Sequence, residues 1–277
     1  MTNAPYRSQK GLSRQQDGQR DGQQAIRRAL PEETAIAMVY NGTTQAVMMA
    51  TPADIEDFAT GFSLTEGFIT SPAEITDMEV TSHDLGIEAR IWLSEDRTER
   101  LNARRRQMAG AVGCGLCGIE SLEQAVRPLP PVGADDFTIA EDDVISATDM
   151  LRAFQPLHDR THAVHAAGFL QPGKGIIQAR EDVGRHNALD KLIGALARQG
   201  LDASHGAIVL TSRISVEMVQ KCAMAGTPVL IAVSAPTAHA VHLAEGAGIT
   251  LAAFARGGGY DVYTHPDRIK TEAPDVA

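Results

Sequence analysis

The chain carries no stretch approaching the roughly 20 apolar residues that a helix needs to cross a bilayer. Its charged N-terminus is not followed by the apolar core of a secretory signal. Basic charge is also short: 25 Lys and Arg stand against 35 Asp and Glu, a formal net charge of -10. A surface of that sign does not displace counterions from a nucleic-acid backbone, although a local basic pocket for a nucleotide-sized anion remains open to it. Cysteine is scarce, three in 277 residues, too few for a disulfide framework. Two of the three form a C-x-x-C, Cys114 and Cys117, which in a reducing compartment points to redox chemistry, metal binding or a reactive thiol. Neither a G-x-G-x-x-G fingerprint nor a P-loop is present, which argues against an ordinary NAD or ATP site. The expectation is a cytoplasmic protein with no membrane and no nucleic acid among its partners.

What the chain does have is an ordinary apolar share, 43%, and enough length for one large domain or two modest ones. Residues 1–30 are rich in Gln, Arg, Asp and Gly, and are expected to form a disordered tail. Residues 31–130 read as a smaller α+β region. In it, residues 35–40 and 45–49 flank Asn41-Gly42, a pair that supplies the positive φ angles of a hairpin turn. Thr51-Pro52-Ala53-Asp54 reads as a helix start, with Thr51 as the cap. Ile87, Ala89, Ile91 and Leu93 alternate with polar or large residues, as in a half-buried strand. Arg104-Arg105-Arg106 then precedes a Gly-rich segment, residues 110–118, that holds the two loop cysteines.

Residues 131–277 read as an α/β unit. Apolar strands near 161–170, 175–179, 207–210, 228–233 and 249–254 alternate with helices near 187–197, 216–225 and 238–245. That alternation predicts a mainly parallel buried sheet. Three of these strands end in polar or Gly-rich turns: Thr211-Ser212-Arg213, Ser234-Ala235-Pro236-Thr237 and Arg256-Gly257-Gly258-Gly259. Open α/β sheets bind ligands outside the carboxyl ends of their strands. Either the turns converge on one anionic ligand, with Arg213 and Arg256 supplying charge and glycine admitting close backbone approach, or Gly257 to Gly259 is a flexible turn before the final segment.

One C-x-x-C is half of a structural zinc set, and Cys222 lies in a predicted helix, so no metal is expected. Glycines flank and separate Cys114 and Cys117, which suits a mobile thiol carrier better than a rigid redox pair. Such a carrier needs a thiolate of lowered pKa; Arg104 to Arg106, near in sequence, either lower it or form a solvated face. Asp182, Arg185 and His186 sit at a strand–helix junction, as a cap with an ion pair or as lining of the ligand cleft. His158, His162 and His165 do not share a face and read as core or surface histidines.

Four segments carry a resemblance: Gly113-Cys-Gly-Leu-Cys-Gly118, the run from Arg180 to Lys191, the run from Thr211 to Lys221, and Phe254-Ala-Arg-Gly-Gly-Gly259 leading to Tyr263-Thr-His265. From about Glu33 to its end the chain resembles the formate dehydrogenase accessory sulfurtransferases. The resemblance implies a cytidine-deaminase-like three-layer α/β domain joined to a smaller α+β N-terminal domain, assembled as a homodimer. It implies sulfur transfer from a cysteine desulfurase to the bis-molybdopterin guanine dinucleotide cofactor that serves formate dehydrogenase. Cys114 matches the persulfide carrier and Cys117 a cysteine that shares or relays the sulfur. Phe254, Ala255, Arg256, Gly257, Gly258 and Gly259, with Ser212 and Arg213, match the cofactor-binding stretch. Where the family has Thr-Gly-Gly-x-His, this chain has Thr161-His162-Ala163-Val164-His165. The zinc deaminase signature is absent. Two other readings stay open: a cofactor-binding chaperone without sulfur chemistry, and a thiol redox protein.

Overall fold

The computed structural model describes residues 4–17, 20–94, 129–132 and 137–271. Residues 6–17 and 20–31 form two strands, where residues 1–30 were expected to be a disordered tail. Strands β1 (Tyr6–Asp17) and β2 (Arg20–Pro31) pair along their length as an antiparallel hairpin. Low apolar content rules out a core there, but backbone hydrogen bonding needs none.

Strands β3 (Thr34–Tyr40), β4 (Thr43–Ala50), β5 (Ile75–His83) and β6 (Gly86–Leu93) form a sheet in the order β4-β3-β6-β5. The two-residue turn between β3 and β4 is Asn41-Gly42, with φ of 46° and 78°, the geometry that matches strand twist. One face of this sheet, built from Ile36, Met38, Tyr40, Ile87, Ala89 and Ile91, packs on helix α1 (Ile55–Thr65). The predicted helix start at Thr51 is displaced. Helix α1 is preceded by Asp54 in the left-handed region (φ 54°) with no side-chain cap, because Thr51 is engaged elsewhere, as described below.

The second sheet has six strands in the order β13-β12-β11-β10-β8-β9: β8 (His165–Gln171), β9 (Gly175–Asp182), β10 (Ala207–Leu210), β11 (Val229–Ala232), β12 (Thr250–Arg256) and β13 (Gly259–Thr264). Its α/β class is as expected, but the sheet is mixed. Only β10, β11 and β12 run parallel. The Pro172-Gly173 turn folds β9 back on β8, so that pair is antiparallel, as are β8–β10 and β12–β13. Short strands β7 (Ile139–Ala140) and β14 (Ile269–Lys270) pair at one side.

Helices α2 (Glu141–Arg152) and α3 (Pro156–Thr161) precede β8; α4 (Arg185–Arg198), α5 (Val216–Met224) and α6 (Ala238–Ala247) follow β9, β10 and β11. Alternation along the strands sends side chains to two faces. Phe169, Ile208, Leu210, Leu230 and Leu251 meet α4, α5 and α6. Ala166, Leu170, Val209, Val229 and Ile231 meet Val144, Ala147 and Leu151 of α2. The result is three layers, helix on sheet on helix. Burying each of these Leu and Ile side chains contributes about 1.5–3 kcal/mol. Among the described residues no helix is long and apolar enough to cross a membrane.

Helix α1 lies on α4, and the contact is made by glycine. A Cβ added to Gly61 would stand 1.8 Å from the Asp190 carbonyl oxygen, and one added to Gly194 would stand 1.8 Å from the Asp57 carbonyl oxygen. Each helix thus seats its backbone against the other at a glycine.

Candidate functional site

The run from Arg180 to Lys191 begins at the end of β9 and enters α4. Its charged residues mostly face the smaller sheet's helix. Asp182 is fully buried and accepts from the backbone N–H of Thr51 (2.9 Å) and of Gly184 (2.8 Å), from Asn187 Nδ2 (3.0 Å) and from Lys191 Nζ (2.6 Å). Lys191 Nζ, equally buried, also donates to the Thr51 carbonyl at 2.9 Å. The Thr51 hydroxyl in turn accepts from Val183 N–H at 3.1 Å. Arg180 and Arg198 grip the Asp57 carboxylate from two sides, each with a contact of 2.6 Å. Lys221 of α5 donates to Asp190 (2.9 Å), Thr65 (3.0 Å) and Glu66 (3.2 Å). Burial works against the Lys221 charge, but Asp190 and Glu66 outweigh it and hold its pKa above the usual lysine range. Of the two readings for Asp182, the geometry selects the structural one.

The carboxyl ends of β10, β11 and β12 lie side by side, and backbone hydrogen bonds join the first two turns to each other and the second to the end of β12. Ile214 N–H donates to the Ala235 carbonyl (3.1 Å) and Thr237 N–H to the Ile214 carbonyl (3.0 Å), while Phe254 N–H reaches the Ser234 carbonyl at 3.4 Å. Ser212 is buried, and its hydroxyl donates to the Arg213 carbonyl at 3.0 Å. Arg213 and Arg256 are exposed. Phe254 is exposed and held at φ 52°, a strained angle for a side chain of that size. A register irregularity between Ala253 and Arg256 accompanies it. Ala255 points back into the core. Gly257 and Gly258 close the β12–β13 turn at φ 62° and 81°, and a Cβ on either would meet nothing within 4 Å. Glycine is therefore required there by backbone angle, and the turn itself is exposed. Two exposed arginines, an exposed glycine turn and the start of α5 are groups of the kind that suit an anion such as a phosphate.

His186 opens α4 beside this edge. Its Nε2 lies 3.9 Å from Glu217 Oε2, the oxygen that also takes the Ser215 hydroxyl at 2.7 Å. Burial, with Arg185 and Lys221 nearby, lowers the His186 pKa to about 4. The ring is thus neutral in the folded protein at pH values where an unfolded histidine, near 6.5, takes up a proton. The stability this site contributes is present above 6.5 and is lost as pH falls toward 4. Replacing His186 with Asn is expected to move the acid-unfolding midpoint to lower pH, as read by circular dichroism.

His158 and His162 stack edge to face at 5.4 Å, but His162 ends α3 at φ 53° and His165 opens β8. Thr161 therefore closes a helix, where a strand start was expected. Among the described residues no group of three His, Cys, Asp or Glu side chains is placed to hold a metal. Cys222 is fully buried, with its thiol pKa pushed up by burial, and packs as a small apolar side chain. Cys114, Cys117 and Arg104 to Arg106 lie outside the described residues. The sequence reading missed the roles of Asp57 and Lys221 and took Thr51 for a helix cap. One usable signal was the charged pair Asp190-Lys191 set within the apolar run Ala188-Leu189 to Leu192-Ile193.

Comparison with known proteins gives a consistent result. Residues 31–270 match the model of the FdhD/NarQ family. A sulfur carrier protein FdhD of Brucella abortus is 55% identical over 248 residues, 90% of this chain and 92% of the relative. Those of Agrobacterium fabrum and Cupriavidus necator are 52% and 51% identical, covering 87% of this chain and 89% and 84% of the relatives. A crystal structure from Desulfotalea psychrophila, described provisionally as a formate dehydrogenase accessory protein, superposes with a TM-score of 0.74 at 25% identity. The match covers 96% of this chain and all of that one. With the family model spanning most of its length and half of its residues shared with such relatives, the chain belongs to the FdhD/NarQ family.

Proposed function

We propose that this protein is a sulfur carrier that takes sulfur as a persulfide on Cys114 from a cysteine desulfurase. It passes that sulfur to bis-molybdopterin guanine dinucleotide destined for formate dehydrogenase. The observation that supports the acceptor half is the knitted edge at the ends of β10, β11 and β12. There Arg213, Arg256 and the Gly257-Gly258 turn suit the phosphates of a dinucleotide, and Phe254 offers an aromatic face. The names of the relatives, sulfur carrier proteins at about half identity, support the donor half. The cofactor is the acceptor substrate in this scheme. Cys117 shares or relays the sulfur, and the work takes place in the cytoplasm.

The test is to incubate the purified chain with a cysteine desulfurase and cysteine, then take intact and peptide mass spectra. One added sulfur on the peptide holding Cys114, absent in Cys114→Ser, is the expected result. If neither loop cysteine gains sulfur beside a competent desulfurase control, the carrier role is wrong. The exposed arginine edge favours a second reading, a chaperone that holds the cofactor without sulfur chemistry. Under that reading Arg213→Ala with Arg256→Ala abolishes formate dehydrogenase maturation, whereas loss of both cysteines leaves it intact.

A further inference from the structure

The chain holds three thiols, Cys114, Cys117 and Cys222, and the fold withdraws one of them from chemistry. Cys222 is fully buried on α5, in the core that also holds Leu189, Leu192, Met218 and Val219. Burial pushes its thiol well above the usual cysteine range, so it is not a thiolate at neutral pH. Turning the helix to expose it would break the bonds of Lys221, the residue before it. That buried ammonium ties α5 to Asp190 of α4 (2.9 Å) and to Thr65 (3.0 Å) and Glu66 (3.2 Å) at the end of α1. Any two-thiol chemistry of this protein therefore falls to Cys114 and Cys117, three positions apart in the sequence.

The carrier reading, on which this inference rests, leaves an electron balance open. The outer sulfur of a cysteine persulfide is at oxidation level zero. An acceptor that takes sulfur as a metal ligand holds it as sulfide, two electrons richer. A relay from Cys114 to Cys117 changes nothing in that count, because attack on the outer sulfur makes another persulfide. Attack on the inner sulfur does change it.

We infer that Cys117 is the resolving thiol of the carrier: it attacks Sγ of Cys114, and the carried sulfur leaves as sulfide. In balance, Cys114–S–S⁻ and Cys117–SH give a Cys114–S–S–Cys117 disulfide and HS⁻. The bond between the two Sγ atoms forms as the bond from Cys114 Sγ to the outer sulfur breaks. The electron pair of the broken bond and the Cys117 proton leave with the outer sulfur, which is reduced while the two cysteines are oxidised. Thiols this close on one chain meet at an effective concentration on the order of millimolar or more, and C-x-x-C is the spacing of thiol–disulfide exchange proteins. The product dictates the next step. A chain left as the disulfide has no loop thiolate to take sulfur from a donor, and the buried Cys222 cannot reopen it. Each turnover must therefore be followed by thiol–disulfide exchange, in which an external dithiol reductant is oxidised and both loop cysteines regain their protons.

The test uses the full chain under anaerobic conditions. The parent and Cys117→Ser are loaded with a cysteine desulfurase and excess cysteine and desalted rapidly. A sulfide electrode and peptide mass spectrometry after alkylation then follow the sulfur. Persulfide on Cys114 of Cys117→Ser is scored first, because that variant keeps its sulfur; its absence overturns the carrier reading and this inference together. The remaining outcomes bear on this inference alone. The parent persulfide should decay about tenfold faster or more than that of the variant. One sulfide and one Cys114–Cys117 disulfide should appear for each persulfide lost. The parent should accept sulfur again only after treatment with dithiothreitol. Iodoacetamide on the folded chain counts the loop thiols alone, since Cys222 is buried: both before loading, neither in the disulfide product. A parent persulfide as long-lived as the variant's, sulfur that moves to Cys117 with no sulfide released, or sulfide released with no disulfide formed would each overturn it.

Discussion

Gly194→Ala is expected to cost about 3 kcal/mol or more, the largest effect available from a single added methyl group. The new Cβ would lie 1.8 Å from the Asp57 carbonyl oxygen and 2.7 Å from the Asp57 carbonyl carbon. Backbone atoms of a helix cannot swing aside as a side-chain tip can. The two helices must separate instead. Separation also strains the Asp57 pairs with Arg180 and Arg198, which cross the same contact. Gly61→Ala should behave alike, since its Cβ meets the Asp190 carbonyl oxygen at the same distance. Gly246 in α6 is the control: a Cβ there meets nothing within 4 Å, and alanine should stabilise by about 0.5–1 kcal/mol. Urea unfolding of the three variants measures all of this. Gly194→Ala as stable as the parent would mean that α1 and α4 do not pack as described.

The second large effect is at Asp182. Asp182→Ala removes the acceptor of four donors at once: Lys191 Nζ, Asn187 Nδ2 and the N–H groups of Thr51 and Gly184. It leaves a buried ammonium with the Thr51 carbonyl at 2.9 Å and the Phe58 ring at 5.7 Å but no carboxylate among the described residues. Breaking a buried pair by deleting one partner costs about 3–5 kcal/mol, and the stranded backbone donors add to it. Lys191→Met should cost less, because the methionine fills the volume and the Asp182 carboxylate keeps three of its donors. Urea midpoints in the order parent, Lys191→Met, Asp182→Ala are the expected outcome; equal midpoints for the two variants would contradict it.

Local patterns were legible in the sequence; pairings at long range were not. Asn41-Gly42 gave its turn because the required φ angles belong to those two residue types. Strand β6 alternates because one face is buried. The strand-end turns at Ser212, Arg213 and Phe254 to Gly259 could be placed because parallel strands put their carboxyl ends together. Thr51 misled because a capping residue and a residue serving Asp182 from 131 positions away look the same in one dimension. The antiparallel β8–β9 pair misled because strand–helix alternation does not register a hairpin added at one edge. The run from Arg180 to Lys191 reads as chemistry because it concentrates charge. In three dimensions much of that charge joins the two sheets' helices.

The seating of α1 on α4 also has a consequence for how the chain is made. Helix α1 leaves the ribosome about 130 residues ahead of the end of α4, roughly ten seconds at 5–20 residues per second. Throughout that interval its glycine seat, with Asp57 and Thr65 beside it, has none of the partners that later cover it. The early sheet can close on the other side of α1 from its own nearby residues, but this side must wait. This side of α1 is therefore completed only when α4 arrives.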